Sequence, residues 1–212
     1  MSDHTDLSVT PTQLYRMARK VILGNDGGTT TSLLVAGPKS AGKTAVLTSA
    51  VASLDAELPG GCDLIVMHPV TMEPSDAGGL PVPNPDGETA SYLPIGKLAK
   101  IVNATRKTVV FFDDLAYATK CVQASIMQLI WDRMMGELRV PDCVTFFAAT
   151  NRREDRVGVT GVIGTITDRM VKLELRPDYE SWKNWAIGAG ISPYLIGYHD
   201  WKVGEAFYDH KR

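Results

Sequence analysis

Apolar positions recur along the chain with two periods, and the switches between them mark out the elements. Leu14, Met17 and Val21 follow one another at helical spacing behind Thr10-Pro11. Thr10 is read as the cap and Pro11 as the first helical residue, where a missing N–H costs nothing. Asn25-Asp26-Gly27-Gly28 then breaks the helix. Residues 31–36 (TSLLVA), 62–67 (CDLIVM), 108–113 (TVVFFD) and 143–150 (CVTFFAAT) are short apolar runs, the pattern of strands buried on both faces. Residues 170–175 (MVKLEL) alternate and make a fifth strand. Helical stretches fall at 43–56, 94–104, 120–136 and 178–189. In the third of these, Val122, Ile126, Leu129, Ile130 and Met134 share a face. Strands alternating with helices predict a mostly parallel sheet covered on both faces.

Two stretches carry no period. Residues 1–10 read as a flexible tail. Residues 71–94, punctuated by Gly78, Gly79, Pro81, Pro83, Pro85 and Gly87, read as a long loop, either a solvated insertion or a surface for a partner.

Composition narrows the picture. The 212 residues carry 22 Lys+Arg against 24 Asp+Glu and are 44% hydrophobic, which excludes a mostly disordered chain. Near-neutral charge supplies no electrostatic footprint for nucleic acid. No apolar run nears the roughly 20 residues of a membrane span, and the N-terminus lacks a signal-peptide core. A cytoplasmic, reduced protein without a membrane partner is expected. Cys62, Cys121 and Cys143 lie in or beside apolar stretches and are expected as buried thiols, not as a disulfide or zinc framework. Met127, Met134 and Met135 are expected in helix packing, and Trp182 with Trp185 in the core of a small C-terminal unit.

The chemistry is concentrated at strand ends. Gly37-Pro38-Lys39-Ser40-Ala41-Gly42-Lys43-Thr44 matches G-x-x-x-x-G-K-[ST] in full, between a predicted strand and a predicted helix. Glycines let successive backbone N–H groups turn toward an anion, and the following helix adds its positive end. Lys43 is placed to reach the β- and γ-phosphates of a nucleotide, and the Thr44 hydroxyl to ligate Mg²⁺. Residues 37–44, with Ala45 behind them, are the expected nucleotide-binding set. The strand 108–113 ends in Asp113-Asp114. Asp113 is suited to hold Mg²⁺, and Asp114 to polarise a water for attack on the γ-phosphate. The strand 143–150 leads into Asn151, whose amide can orient that water or contact the phosphate.

In this order, GPKSAGKT, VVFFDD, FFAATN and TDRM resemble the AAA+ ATPases, and more narrowly their MoxR-like branch. The helix after the acidic strand (LAYATKCVQASIMQLIWDRMMGEL), the stretch GVTGVIGTITDRMVKLELRPDYESWKNWA and the loop GGLPVPNPDGETASYLP are similar to that branch as well. The resemblance covers residues 33–200. It implies a three-layer α/β P-loop NTPase domain over 11–176, with a central, mostly parallel sheet, followed by a short or truncated helical lid over 177–212. It implies ATP and Mg²⁺ bound between subunits of a ring, commonly a hexamer, and hydrolysis of ATP to ADP and phosphate to remodel a partner protein. Carried onto this chain, it makes Lys43 and Thr44 phosphate and Mg²⁺ residues, Asp113 a Mg²⁺ ligand, Asp114 the base and Asn151 the first sensor. Arg169 becomes a finger reaching a neighbour's ATP, with Arg152, Arg153 and Arg156 competing for that role.

Three departures from the family pattern stand out. Asp114 occupies the usual place of Glu, Arg152-Arg153 follow Asn151 where Pro is favoured, and Arg212 falls early in what the family pattern makes a helical lid, read as a minimal lid, a fragment or an unusual relative. The shorter carboxylate withdraws the base by more than an ångström, a displacement that can cost about 10²-fold in rate. A nucleotide-switched binding module with weak hydrolysis is therefore one alternative. A small P-loop kinase is the other, disfavoured because paired carboxylates and an Asn-terminated strand suit water activation.

Overall fold

The computed structural model describes residues 7–25, 31–152 and 161–202. The chain opens with β1 (Leu7–Val9) and α1 (Pro11–Gly24), then β2 (Leu33–Gly37), α2 (Lys43–Glu57) and β3 (Asp63–Met67). A short helix α3 (Pro74–Gly78), strands β4 (Leu80–Pro83) and β5 (Ala90–Leu93), and α4 (Gly96–Val102) come next. They lead to β6 (Thr108–Phe112), α5 (Lys120–Trp131), β7 (Met134–Met135), β8 (Leu138–Arg139) and β9 (Val144–Asn151). The last elements are α6 (Gly164–Thr167), β10 (Val171–Leu175), α7 (Tyr179–Gly188) and α8 (Pro193–Lys202).

Six strands pair in parallel in the order β1-β10-β2-β9-β6-β3. Successive side chains of a strand point to opposite faces, and here both faces are covered. Leu34, Val110, Phe112 and Phe146 point to the side packed by Leu98 and Ile101 of α4 and by Val122, Ile126 and Leu129 of α5. Leu33, Val35, Phe111, Phe147 and Leu173 point to the other side, against Leu14, Ala18 and Ile22 of α1 and Leu47, Val51 and Leu54 of α2. Burial on both faces is why these strands read as unbroken apolar runs.

The first helix starts where its cap predicts. Thr10 Oγ1 accepts from Gln13 N at 3.3 Å, and Thr10 N donates in turn to Gln13 Oε1 at 2.9 Å. At its other end Asn25 is buried, donating to Thr31 O and Thr145 Oγ1, both at 3.0 Å, so this helix breaker also ties the chain back to β9.

Four expectations are corrected. Residues 7–9, expected in the tail, form an edge strand on β10; only Val9 faces the core, too few residues to show a period. Residues 1–6 of that tail lie outside the described residues. The unpatterned stretch 71–94 contains α3 and the antiparallel hairpin β4–β5. Every residue of the hairpin's two strands is exposed, so no apolar alternation betrays it. Its turn is closed by Asn84 N donating to Thr89 O at 2.8 Å.

The helix expected to run to 136 stops at Trp131, and Met134 and Met135 belong to a second small hairpin, β7–β8. Arg133 adopts a left-handed backbone (φ 51°) there. Its guanidinium donates to Pro141 O at 2.5 Å and Val144 O at 3.0 Å, which holds the exit from the helix. Among the cysteines Cys62 is buried, but Cys121 is exposed on the first turn of α5 and Cys143 is half-buried. Burial raises the Cys62 thiol to about 11.

Candidate nucleotide site

The parallel register sets Gly37, the last residue of β2, opposite Asn151, the last of β9. Asp113 follows directly after β6, the next strand in the sheet. Three strand ends therefore converge on one edge, where ligand sites of open α/β sheets lie. The loop from Gly37 to α2 turns through Ser40 (φ 58°) and Gly42 (φ 84°), both left-handed. Gly37 is needed for a different reason. A Cβ there would lie 3.1 Å from the Leu175 Cβ and 3.2 Å from its carbonyl oxygen, so a side chain would require the loop or β10 to give by a few tenths of an ångström.

The Lys43 side chain is buried and spans the inside of this loop. Its ammonium donates to Gly37 O at 3.0 Å, Pro38 O at 2.8 Å and Asn151 Oδ1 at 3.1 Å. Thr44 Oγ1 donates to Asp113 Oδ2 at 3.0 Å. Asn151 Nδ2 donates to the Tyr117 phenol oxygen at 3.1 Å. Lys39, Ser40, Ala41 and Gly42 border the same polar cleft of about 500 Å³, together with Asp114 and Tyr117. Ala45 does not border this cleft and lines an apolar cavity beside it.

Asp114 adopts a left-handed backbone (φ 57°, ψ 43°) and starts the 3₁₀ turn Leu115–Tyr117. Its carboxyl is raised above the ordinary carboxylate range, first by loss of hydration against the protein and then by the neighbouring Asp113 charge. Lys43, His68 and Lys39 oppose the shift. A raised carboxylate beside a lysine and a second acid is the electrostatic pattern of a functional cleft.

Hard oxygens from Thr44 and Asp113 suit Mg²⁺, which is held by one or two carboxylates while nucleotide phosphates complete its coordination. Among the described residues no cluster of three or more His, Cys, Asp or Glu could hold a metal ion by itself.

Arg169 does not line the cleft. It is exposed beyond α6, with its guanidinium 4.3 Å from the Trp131 ring centroid and one N–H on the Met127 sulfur at 3.4 Å. Arg152 pairs with Glu174 of β10 at 3.4 Å. Arg153 and Arg156 lie outside the described residues.

Two features escaped the sequence reading. Tyr117 carried no motif; its only signal was its place just after the acidic pair. An apolar cavity of about 670 Å³ also adjoins the loop, sharing Ser40, Ala41 and Gly42 with the polar cleft. Tyr15 of α1, Ala45 and Val46 of α2, and Trp182 and Trp185 of α7 line it. Trp185, expected in a core, is 51% exposed and forms a wall of this cavity. Asp200 of α8 holds α7 in place, accepting from Tyr179 Oη at 2.6 Å and Lys183 Nζ at 2.7 Å.

No family model matches the sequence, and no curated protein matches it. Solved structures do. A candidate ATPase from Cytophaga hutchinsonii superposes over 86% of this chain and 51% of its own, with TM-score 0.56 and 15% identity. The RuvB Holliday junction branch migration motor of Thermotoga maritima superposes over 82% of this chain and 47% of its own, with TM-score 0.51 and 15% identity. The chain thus spans about half the length of the solved structures it matches. No helix among the described residues is long and apolar enough to cross a membrane. At this level of identity the likeness is one of fold, and it agrees with the six-stranded parallel sheet: the chain has the three-layer α/β P-loop NTPase fold.

Proposed function

We propose that the chain is a Mg²⁺-dependent ATPase of the AAA+ type and MoxR-like branch, acting in a ring of copies to remodel a partner protein. The observation that carries this reading is the convergence of Lys43, Thr44, Asp113 and Asn151 on one cleft from three strand ends and a helix start. A Gly-rich turn matching by accident has no reason to place its Thr on the acid of another strand.

The loop amides of residues 37–44 and the start of α2 supply the anion cradle. Lys43 adds a full positive charge, held in register by two carbonyls and Asn151. Thr44 and Asp113 would hold Mg²⁺, which when bound would neutralise charge on the phosphates. Asp114, with its raised proton affinity, accepts the proton of the attacking water, and Asn151 orients that water. The apolar cavity beside Ser40–Gly42 takes the purine, with Tyr15, Trp182 and Trp185 as its aromatic walls. Arg169 lies off the cleft lining, so its contribution to hydrolysis is to a neighbouring copy's site, where it offsets charge developing on the phosphoryl group.

The test is steady-state phosphate release from Mg-ATP across protein concentration, for wild type and Lys43→Ala. Specific activity that climbs with concentration and vanishes in the variant supports a shared-site ATPase. Absence of both release and nucleotide binding sinks the reading.

The short Asp114 carboxylate favours a second reading, an assembly module switched by ATP with little turnover. That module orders on ATP, raising the apparent size of the protein, yet releases almost no phosphate.

A further inference from the structure

Hydrogen-bond polarity in the cleft fixes the direction of one proton. The Lys43 ammonium can only donate, so the group facing it on Asn151 is the carbonyl oxygen, at 3.1 Å. The carboxamide is then oriented, and its Nδ2 donates to the Tyr117 phenol oxygen at 3.1 Å. A phenol whose oxygen accepts that bond directs its own proton away from the amide. Tyr117 borders the polar cleft, and among the described residues its O–H meets no acceptor on the protein. The series of donors therefore runs from Lys43 to Asn151 to Tyr117 and ends as an O–H available to the cleft.

We propose that Tyr117 is a phosphate-recognition residue whose O–H donates to a non-bridging oxygen of the terminal phosphate of a bound nucleoside triphosphate. The proposal rests on the nucleotide-binding reading of the cleft. The loop amides and the start of α2 serve the inner phosphates from one wall. Tyr117 borders the same cleft from the turn that follows Asp113 and Asp114, and is bonded to the amide that also contacts Lys43. A donor in that place meets an oxygen that a triphosphate has and a diphosphate lacks. Tyr117 thus helps the site to distinguish ATP from ADP, and the Lys43–Asn151 bond sets the direction in which it does so.

The test is calorimetric binding of Mg²⁺ with a non-hydrolysable ATP analogue, and separately with ADP, to the full chain and to Tyr117→Phe. Loss of one hydrogen bond to a charged group predicts analogue binding weakened about tenfold, with ADP binding changed less than about twofold. In an Asn151→Leu background, where nothing orients the phenol, adding Tyr117→Phe costs the analogue much less than it does in wild type. Equal weakening of both ligands, or of neither, overturns the role of Tyr117. So does an undiminished effect in the Asn151→Leu background. If wild type binds neither nucleotide, the nucleotide reading itself falls. A melting temperature for Tyr117→Phe close to wild type separates a recognition defect from a folding one.

Discussion

The Thr44 hydroxyl donates to Asp113 Oδ2 across 3.0 Å, joining residues 69 apart in sequence. The bond links the first turn of α2 to the end of β6, and with them the two arms that the nucleotide reading requires. A threonine hydroxyl in a first helical turn can be satisfied within its own helix, yet Thr44 reaches the acid that follows another strand. The pair offers a hydroxyl and a carboxylate oxygen side by side, the donor set of a small hard cation that keeps its remaining positions for phosphate and water.

Asp113→Asn keeps the shape and one acceptor oxygen but removes the charge. Nucleotide binding without metal should be close to wild type, while the gain in affinity on adding Mg²⁺ should disappear. Metal catalysis contributes several kcal/mol, so phosphate release should fall by about 10²-fold or more. Fluorescent-nucleotide titrations with and without Mg²⁺ check the first pair of outcomes. A metal response that survives in the variant removes Asp113 from the site.

Asp114 is raised above the ordinary carboxylate range in the folded protein. Between the ordinary value and the raised one the folded state holds more protons than the unfolded state. Stability therefore falls as pH rises through that window, and the deficit stays in full above it. Asp114→Asn removes the titration, so the variant should melt higher than wild type at about pH 8. The difference should close as pH drops below the ordinary carboxylate range. Thermal melts across pH report the crossover. Asp114→Glu restores the missing methylene and should raise phosphate release by about tenfold. A slower Glu variant would mean that the left-handed backbone at 114 already places the short acid correctly.

How much of the site was legible in the sequence follows from where each residue sits. Lys43, Thr44, Asp113 and Asn151 occupy the ends of apolar strands or the start of a helix, so a pattern in one dimension already locates them. The sheet's parallel register then brings those ends together without further information. Tyr117 has no such marker, because its proposed role depends on which way an amide at the end of the neighbouring strand is turned. The apolar cavity was hidden for a similar reason. Trp182 and Trp185 have the helical spacing of core residues, and only the packing of α7 near α1 shows that they border a cavity. The two hairpins were missed because exposed β-strands carry no hydrophobic alternation, and the flexible-tail reading failed at Leu7–Val9 because one inward residue makes no period.

Gln123 is fully buried and uses both ends of its amide. Nε2 donates to Ala118 O at 3.1 Å and Gly161 O at 2.9 Å, while Oε1 accepts from Ile163 N at 2.9 Å. It therefore clamps the turn carrying Tyr117 to the segment that enters α6 and Arg169. Gln123→Leu matches the volume but leaves two carbonyls and an N–H without their partner, the Ala118 carbonyl in the interior and the Gly161 and Ile163 groups half-buried. Each unmet buried group costs ~1–3 kcal/mol, so a total loss of about 2–4 kcal/mol is expected after local relaxation. Urea unfolding measures it. A loss under about 0.5 kcal/mol would mean that water or backbone adjustment replaces all three bonds.

In the proposed ring, Arg169 is the residue whose role would depend on a second copy of the chain. Its guanidinium lies over Trp131, itself 56% exposed, and an exposed contact of this kind contributes only about 0.5–1 kcal/mol. Arg169→Ala should thus fold normally and bind nucleotide as wild type does, yet lose on the order of 10³-fold in phosphate release. A structural arginine gives the opposite result, a lower melting temperature with turnover preserved. Mixing separates a finger acting between copies from one acting within its own. Lys43→Ala lacks the phosphate lysine but keeps Arg169, while Arg169→Ala keeps an intact cleft and lacks the finger. Each is inactive alone. Where an Arg169→Ala protomer sits beside a Lys43→Ala protomer, one complete site forms between them, and the mixture should recover a measurable fraction of wild-type activity. Recovery requires that the two residues serve a site built from two copies; a mixture as inactive as its parts would confine Arg169 to its own protomer or to packing against Trp131.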